Sequence, residues 1–452
     1  MSIPSIEPAV ASICPSAQNC AIRASFLHFI ANPADVATPA DSYQYFADGL
    51  LVIENGLIAE LRDYRADDAA KYPQLQDRSG QLIMPGFIDT HIHYAQTEMI
   101  AAYGEQLLEW LDTYTFPTEQ QFADKHYADK IAQFVINELL KNGTTSALVF
   151  GTVHPQSVDA IFEQAAAKNM RLIAGKVMMD RHAPDYLLDT PESGYAESKA
   201  LIEKWHNRGR LQYAITPRFA PTSSAEQLTL TGKLRAEYPD TYVQTHVSEN
   251  KNEIEWAKSL FPECRGYFDI YQHYGLTGPK SIFSHAIHLT EDEWQAFSAT
   301  DSVIAFCPSS NMFLGSGLFP LKRASRDKVR VGLGTDVGAG TSFSPLQTLC
   351  DAYKVLQLQG QKLSALDGFY LATLGGASAL SLSDKIGTLA VGSEADLVVL
   401  NWAATEVQQL RMSNAKNLED KLFALMMLGD DRNIAATYVA GHCVYDAANL
   451  SK

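Results

Sequence analysis

The chain has 452 residues, of which 46% are hydrophobic and 19% are charged, and its formal net charge is −16 at pH 7. A composition this rich in apolar residues can form an extensive core and excludes wholesale disorder. The negative charge disfavours nucleic-acid phosphates and anionic membrane surfaces, so we expect a small-molecule substrate, with no nucleic acid and no membrane as partner.

The cysteines and the N-terminal residues predict a cytoplasmic protein. The cysteines are scattered, with no C-x-x-C pair, which is typical of reduced thiols. No run of about 18 apolar residues occurs, and the first residues lack a basic segment followed by an apolar one. The six cysteines are Cys14, Cys20, Cys264, Cys307, Cys350 and Cys443.

Strand-like runs alternate with helical stretches over the middle of the chain. The stretch "HYADKIAQFVINELLKNG" has Ile131, Phe134 and Leu139 near helical spacing, and Gly143 is suited to end the helix. Eight runs with interleaved helices predict a TIM-like (β/α)8 barrel, because parallel neighbours need crossover connections. A doubly wound sheet is the alternative, but it would usually carry a Gly-rich turn after its first strand. The runs are "LIMPGFIDTHIH", "TTSALVF", "RLIAGKVMMD", "LQYAITPRF", "YVQTHVSE", "SIFSHAIHL", "SVIAFCPSSN" and "VRVGLGTDVG".

The two ends of the chain carry short β-patterns without this alternation. Examples are "GLLVIENGLIAELRD" before the barrel and "IAATYVAGHCVYD" after it, both interrupted by glycine. Neither end is long enough for a domain of its own. We therefore expect one small composite β-sandwich domain from residues 1–84 and 388–452, beside a barrel domain at 85–387.

Two histidines in the first run predict part of a metal site. His91 and His93 are two residues apart, so in a strand their side chains share a face, with Cα atoms roughly 6.6 Å apart. Two imidazoles at that separation can bind one cation. Alone, this pair is a weak signal, because strand histidines are commonly just hydrogen-bonded.

Later runs bring further ligand-type side chains to the same rim. His246 and His285 end the fifth and sixth runs, Glu249 follows the fifth, and Asp336 ends the eighth. The C-terminal strand ends of a barrel meet at one rim. Three histidines, in the first and fifth runs, and Asp336 would make a tetrahedral set that suits zinc, although iron would also accept it.

Each of these side chains has a predicted role in hydrolysis. A metal with an open coordination position activates water at neutral pH. Asp336 can accept a proton from that water, Glu249 can carry protons to the substrate, and His285 orients the water. The ordinary alternatives are a helix cap for Asp336 and a solvated loop carboxylate for Glu249.

The absence of a suitable lysine predicts one metal rather than two. A two-metal site of this kind usually needs a bridging group, often a modified lysine at the end of the fourth strand. The fourth run ends instead in Arg218. Lys176, in the third run, is the nearby residue that could change this prediction.

These residues identify a resemblance to the amidohydrolase superfamily, and more narrowly to its guanine deaminase family. It covers residues 85 to about 345, and its first segment is highly specific. The flanking β-regions add little beyond the superfamily level. The matching segments are "PGFIDTHIHYAQTEMIAAYGEQLLEWLDTYTFPTE", "GKVMMDRHAPDYLLDTPESG", "ITPRFAPTSS", "THVSEN" and "GLGTDVGAGTSFS".

The resemblance implies one zinc ion per chain, held by His91, His93, His246 and Asp336, with Glu249 as proton shuttle. All of these except His91 would also face the substrate. It further implies that Gln96, Arg218 and Phe219 bind the purine. Arg218 can donate to a carbonyl such as the purine O6, and Gln96 offers both a donor and an acceptor. Without the resemblance, a rim salt bridge for Arg218 and a loop contact for Gln96 would be equally ordinary.

Other features have less specific interpretations. The stretch "EQLLEWLDTY" places Trp110 on an apolar helical face, which indicates core packing or a cover over the purine. Ala95 and His182 differ from what relatives would be expected to carry and could adjust loop shape. We interpret the remaining histidines as structural: His28, His126, His154, His182, His206, His273, His288 and His442.

The sequence thus predicts a zinc-dependent hydrolase that converts guanine and water to xanthine and ammonia. The resemblance also suggests a homodimer. One alternative is an enzyme on the same fold that acts on a related oxo-purine, a pterin or a triazine. The other is a catalytically inactive barrel that serves as a scaffold.

Overall fold

The computed structural model describes residues 20–103 and 106–449. Cys14 and the N-terminal residues from which we judged targeting therefore lie outside the described part. Within that part, no helix combines the length and the apolar character needed to cross a bilayer. The strands in chain order are β1 (Cys20–Phe29), β2 (Tyr43–Glu54), β3 (Leu57–Asp63), β4 (Gln76–Pro85), β5 (Phe87–His93), β6 (Thr144–Phe150), β7 (Arg171–Gly175), β8 (Val177–Met178), β9 (Leu211–Pro217), β10 (Tyr242–Val247), β11 (Ser281–His285), β12 (Val303–Phe306), β13 (Val331–Leu333), β14 (Leu397–Asn401), β15 (Ile434–Val439) and β16 (His442–Asp446).

Strands β5 to β13 form the predicted parallel barrel. Each pairs in parallel with its neighbour in the order β5-β6-β7-β9-β10-β11-β12-β13, and the short β8 continues beside β9. Two backbone hydrogen bonds link the segment after β13 to β5, from Asp336 N to His91 O (2.9 Å) and from His93 N to Val337 O (2.8 Å). The (β/α)8 prediction is confirmed, and the barrel closes at residues that we expected to bind metal.

Helices cover the outside of the barrel. Helix α4 (Lys125–Lys141) begins after Asp124, whose carboxylate accepts a hydrogen bond from His126 N. It ends before Gly143, whose φ is +80°. Ile131 and Leu139 are buried, whereas Phe134, which also falls near helical spacing, is 44% exposed. The helices are α1 (Asp68–Lys71), α2 (Leu107–Trp110), α3 (Phe116–Glu119), α4 (Lys125–Lys141), α5 (Pro155–Ala167), α6 (Pro191–Trp205), α7 (Ala225–Glu237), α8 (Lys251–Leu260), α9 (Tyr267–His273), α10 (Glu291–Thr300), α11 (Pro308–Phe313), α12 (Leu321–Arg326), α13 (Pro345–Leu358), α14 (Ala365–Tyr370), α15 (Gly376–Ala379), α16 (Glu406–Ser413) and α17 (Leu418–Leu428).

The first predicted strand run is in fact two strands in two different sheets. Gly86 separates β4, in the small domain, from β5, in the barrel. A Cβ atom at residue 86 would lie 2.1 Å from Thr145 Oγ1, so a side chain there would collide with β6. The predicted third strand is likewise divided into β7 and β8 at Lys176.

Both ends of the chain build the small domain, as predicted. Its strands form one seven-stranded mixed sheet in the order β16-β15-β14-β4-β1-β2-β3, rather than two separate facing sheets. Arg171, at the start of β7, and Arg210, just before β9, both pair with Glu394, and Arg210 also pairs with Asp396. These ion pairs tie the N-terminal ends of barrel strands to the loop before β14.

Candidate metal and active site

The ligand-type side chains from distant segments meet at the C-terminal end of the barrel. His91 and His93 lie on β5, His246 lies near the end of β10, and His285 is the last residue of β11. Asp336 lies three residues beyond β13 rather than within it, in the segment that closes the barrel. The ring centroid of His91 is 4.8 Å from that of His93, 4.9 Å from that of His246 and 5.6 Å from that of His285.

The nitrogen and oxygen atoms of four residues have the spacing of metal ligands. His93 Nε2 and His246 Nε2 are 3.1 Å apart, and Asp336 Oδ1 is 3.1 Å from His91 Nε2 and 3.7 Å from His93 Nε2. Ligand atoms at about 2.05 Å from a tetrahedral zinc ion are about 3.3 Å from one another. The buried His91 Nε2 has no directed hydrogen bond among the described residues, although it lies beside the carboxylate. These observations fit a shared cation.

Hydrogen bonds on the outer side determine which imidazole nitrogens face the centre. His246 Nδ1 lies 2.7 Å from the backbone oxygen of Arg218, which can only accept, so Nδ1 carries the proton and Nε2 has the free lone pair. His91 Nδ1 is 2.7 Å from Ser284 Oγ. Such partners are typical of metal-binding histidines, because they fix both the tautomer and the ring orientation.

Burial also keeps three of the imidazoles in the form that binds metals. It lowers the pKa of His91, and together with the neighbouring imidazoles it lowers the pKa values of His93 and His246 well below the usual range. For Asp336, burial opposes ionisation, but the contact with His91 and the positive charge of His285 outweigh it and lower the pKa of the carboxyl to about 2. Neutral imidazoles beside an ionised carboxylate form a ligand set for a divalent cation.

His285 and Cys307 also lie within reach of the cluster but have different chemistry. Burial would lower the pKa of His285, yet the carboxylates of Glu249 and Asp336 reverse this and raise it. A protonated imidazole donates hydrogen bonds and does not bind metal. Burial raises the pKa of the Cys307 thiol well above its usual range, so it stays neutral. We therefore keep His91, His93, His246 and Asp336 as the candidate ligand set.

Glu249 is a buried carboxyl group directly beside this cluster. Its Oε1 accepts a hydrogen bond from Ser316 Oγ (2.9 Å), and its Oε2 is 3.4 Å from His285 Nε2. Burial raises the pKa of Glu249 above its ordinary value, which favours the protonated form of this carboxyl group. That is the property required of a general acid.

Sequence reasoning missed Glu253, which supports the loop that carries Glu249. Its Oε2 accepts from the backbone nitrogens of Glu249 (2.9 Å) and Asn250 (3.0 Å), and Tyr267 donates to its Oε1 (2.6 Å). Asn250 caps α8, and Glu253 completes the capping box. The signal was present as an Asn followed three residues later by a Glu.

The predicted purine-binding side chains lie next to the cluster. Gln96 is in a 3-10 turn after β5, and Arg218 directly follows β9, one residue beyond the strand. Phe219 is buried and packs edge-on against Trp256, with ring centroids 6.1 Å apart. Glu119, which the sequence did not single out, pairs with Arg218 at 2.8 Å.

These residues surround one cavity, whose empty volume is about 440 Å³. Trp110 and the π-helical turn Leu111–Thr115 cover one side, so the helix of Trp110 both packs in the core and covers the cavity. The lining residues are His93, Gln96, Leu107, Trp110, Leu111, Arg218, Phe219, His246, Glu249, Glu253, His285, Leu314, Asp336 and Ala339.

Lys176 is engaged away from the cluster. Its amino group is fully buried and pairs with Asp189 (2.6 Å) and Glu197 (3.3 Å). A lysine held by two carboxylates is not a bridging ligand for a second metal. Several other histidines also have partners of their own, for example His28 with Thr388 and Gln44.

Comparisons with known proteins agree with this geometry. The model of the amidohydrolase family matches residues 82–444. The chain is 57% identical to guanine deaminase from Escherichia coli K12 over 94% of this chain and 98% of that protein. A solved structure of E. coli guanine deaminase matches with a TM-score of 0.92 and 56% identity, over 95% of this chain and all of that one. Guanine deaminase from C. acetobutylicum with bound guanine matches with a TM-score of 0.86 and 29% identity, again over 95% and 100%. The chain belongs to the amidohydrolase family.

Proposed function

We propose that this chain is a zinc-dependent guanine deaminase that converts guanine and water to xanthine and ammonia. The observation that carries the proposal is the meeting of a metal-type cluster, a protonatable Glu249 and the Arg218–Gln96 pair around one cavity. The 57% identity to E. coli guanine deaminase supports the same substrate.

One zinc ion per chain would be held by His91, His93, His246 and Asp336. The fit rests on the free lone pair at His246 Nε2, the position of His91 Nε2 beside Asp336 Oδ1 and the neutral state of these imidazoles. When bound, zinc would supply Lewis acidity that makes a water molecule nucleophilic at neutral pH. Iron would accept the same ligands, so metal analysis decides between the two.

The carboxyl groups would move the protons of the reaction. As water adds to C2 of guanine, Glu249 delivers its proton to ring N3, and Asp336 accepts one proton of the water. Asp336 then passes that proton to the amino group, which leaves as ammonia. The second proton of the water passes to Glu249 as the C2 carbonyl forms, which restores the protonated carboxyl, while the first proton from Glu249 stays on N3. The N–H of protonated His285, close to both carboxylates, orients the water.

The purine edge would be recognised by Arg218 and Gln96, with Phe219 beside the ring. The guanidinium donates to the carbonyl O6, and the amide of Gln96 pairs with the neighbouring N1–H. Adenine has an amino group in place of O6 and would leave the N–H groups of Arg218 that do not bind Glu119 without an acceptor. Strong preference for guanine over adenine is the expected result.

The test is an absorbance assay of the purified protein with guanine, adenine, cytosine and 8-oxoguanine, together with metal analysis. Ammonia release from guanine by protein that contains about one zinc per chain would support the proposal. A preference for a pterin, triazine or 8-substituted purine would support the related enzyme instead. A metal-reconstituted protein that is inert towards all of them would support the scaffold alternative.

Three further predictions go with this function. We propose a homodimer, which light scattering coupled to gel filtration tests directly. We propose a cytoplasmic location, which fractionation of the source cells tests. The domain limits at residues 84/85 and 387/388 also stay predictions.

A further inference from the structure

One buried carboxylate contacts both side chains that are expected to recognise the purine edge. Glu119, the last residue of α3, is completely buried. Arg218 Nη1 donates to its Oε2 (2.8 Å) and Oε1 (3.1 Å), and Arg218 Nη2 donates to Oε1 (3.1 Å). Gln96 Nε2 donates to Oε1 as well (3.2 Å). Glu119 therefore links β9 and the turn after β5 through one group.

The contacts with Glu119 fix the plane of the Arg218 guanidinium. A carboxylate and a guanidinium that share several N–H···O bonds hold each other in one plane, which a lysine ammonium cannot do. Among the described residues, every hydrogen bond that we observe from this guanidinium goes to Glu119. The ring of Phe116 lies 5.6 Å from the guanidinium carbon. The remaining N–H groups of Arg218 keep a fixed direction only while Glu119 holds the group.

The same carboxylate determines which way the Gln96 amide faces. A carboxylate only accepts hydrogen bonds, so the amide nitrogen must face Glu119. The amide oxygen then lies on the other side, 3.4 Å from the backbone nitrogen of Gly338. Without the carboxylate, the amide could rotate by half a turn and exchange its donor and acceptor.

We propose that Glu119 is the positioning residue that sets the selectivity of this site for 6-oxopurines. A 6-oxopurine presents a carbonyl oxygen next to a ring N–H, and a fixed guanidinium donor beside a fixed amide oxygen matches that pair. Glu119 does not touch the substrate but acts through Arg218 and Gln96. This inference rests on the proposed function and names the residue behind its substrate preference.

The test compares Glu119→Gln with the unmodified enzyme on guanine and on 2-aminopurine, which has the same 2-amino group but no O6. If the turnover of 2-aminopurine is too slow to measure, its inhibition constant in the guanine assay is compared instead of kcat/KM. We expect kcat/KM for guanine to fall by about 100-fold, because a displacement of binding groups by about 1 Å typically reduces the rate by about that factor. The value for 2-aminopurine should change by less than about threefold, and zinc content should stay the same.

A double-mutant cycle separates positioning from a general structural role. If Glu119 acts through Arg218, Glu119→Gln in an Arg218→Met background should change guanine kcat/KM by less than about threefold. The matched control is Asp68→Asn, which removes a carboxylate from a similar pair with Arg62 in the small domain and should leave the kinetics unchanged. If Glu119→Gln does not fold, Glu119→Asp carries the same test, since it keeps the charge but shortens the reach.

The outcomes distinguish this inference from the proposed function. Guanine selectivity that survives in a folded Glu119→Gln protein, or effects that simply add in the double mutant, would overturn the role of Glu119 while guanine deamination stands. An unmodified, zinc-loaded protein that does not deaminate guanine would overturn the proposed function instead. Loss of guanine selectivity with full zinc content would support the inference.

Discussion

Replacing Glu249 by Gln tests the proton transfer at the centre of the mechanism. Gln has nearly the same size, and its amide oxygen can still accept from Ser316 Oγ, which lies 2.9 Å from Glu249 Oε1. The change therefore removes the acidic proton and little else. Because Glu249 is outside the proposed ligand set, zinc binding should persist.

The expected loss follows from the position of this carboxyl group. A positioned general acid typically contributes a factor of 10² to 10⁴, so kcat should fall by about that factor, which corresponds to about 3 to 5 kcal/mol of activation free energy. Unfolding free energy should change by less than about 1 kcal/mol, since the hydrogen bond to Ser316 remains possible.

The assay is the fall in guanine absorbance under saturating substrate, with zinc measured on the same sample. Glu255→Gln on the same loop–helix segment is the matched control, because the Glu255 side chain is 74% exposed and pairs only with Lys258 among the described residues. Turnover of Glu249→Gln within about threefold of the unmodified enzyme would refute the shuttle role. Loss of zinc in this variant would refute our assignment of the ligands.

Three further changes test the metal, the domain contact and a buried acid. The His246→Ala variant should lose both bound zinc and activity, because the change removes one of the four proposed ligands. Metal analysis and the guanine assay measure both losses, and full zinc occupancy would contradict the prediction. Arg210→Met should lower the unfolding free energy by about 3 to 5 kcal/mol, because buried Asp396 loses its ion-pair partner, while Glu394 keeps Arg171. Urea denaturation measures the loss, and an unchanged midpoint would contradict it. Burial, reinforced by the neighbouring Glu249, raises the pKa of Glu253 to about 7, above its value in the unfolded chain. The protonated form therefore adds about 3 kcal/mol to the unfolding free energy below about pH 4.5, and this contribution is lost as the pH rises to 7. Denaturation at several pH values should show this decline in the unmodified protein and a shallower one in Glu253→Gln.

The interior of the site relies on buried carboxyl groups outside the proposed ligand set. Glu253 holds the loop of Glu249 through two backbone N–H groups, and Glu119 holds Arg218 and Gln96. Such groups are fully buried and accept hydrogen bonds from several directions, so they order the residues around them. Substitutions of Glu119 or Glu253 should therefore change the substrate selectivity or the rate of proton transfer more than they change the metal content.

The position of Asp336 also depends on how the barrel closes. Its φ is +53°, and that of His285 is +70°, values that are uncommon for residues other than glycine. The backbone nitrogen of Asp336 donates to His91 O, so the ladder between the first and last barrel strands aims the carboxylate at the histidine cluster. Strained backbone of this kind is common at functional sites, where the surrounding structure maintains it.

Much of this protein could be predicted from the sequence alone. Alternating apolar runs and helical stretches predicted the barrel, and the i, i+2 spacing of His91 and His93 predicted that both side chains share a face, because these are local consequences of strand and helix geometry. Only the tertiary structure decided that β4 and β5 belong to different sheets, that Asp336 lies beyond its strand, and that Glu119 meets Arg218 across 99 residues of chain. Contacts between distant segments depend on packing and barrel closure, and no periodic pattern in the sequence records them.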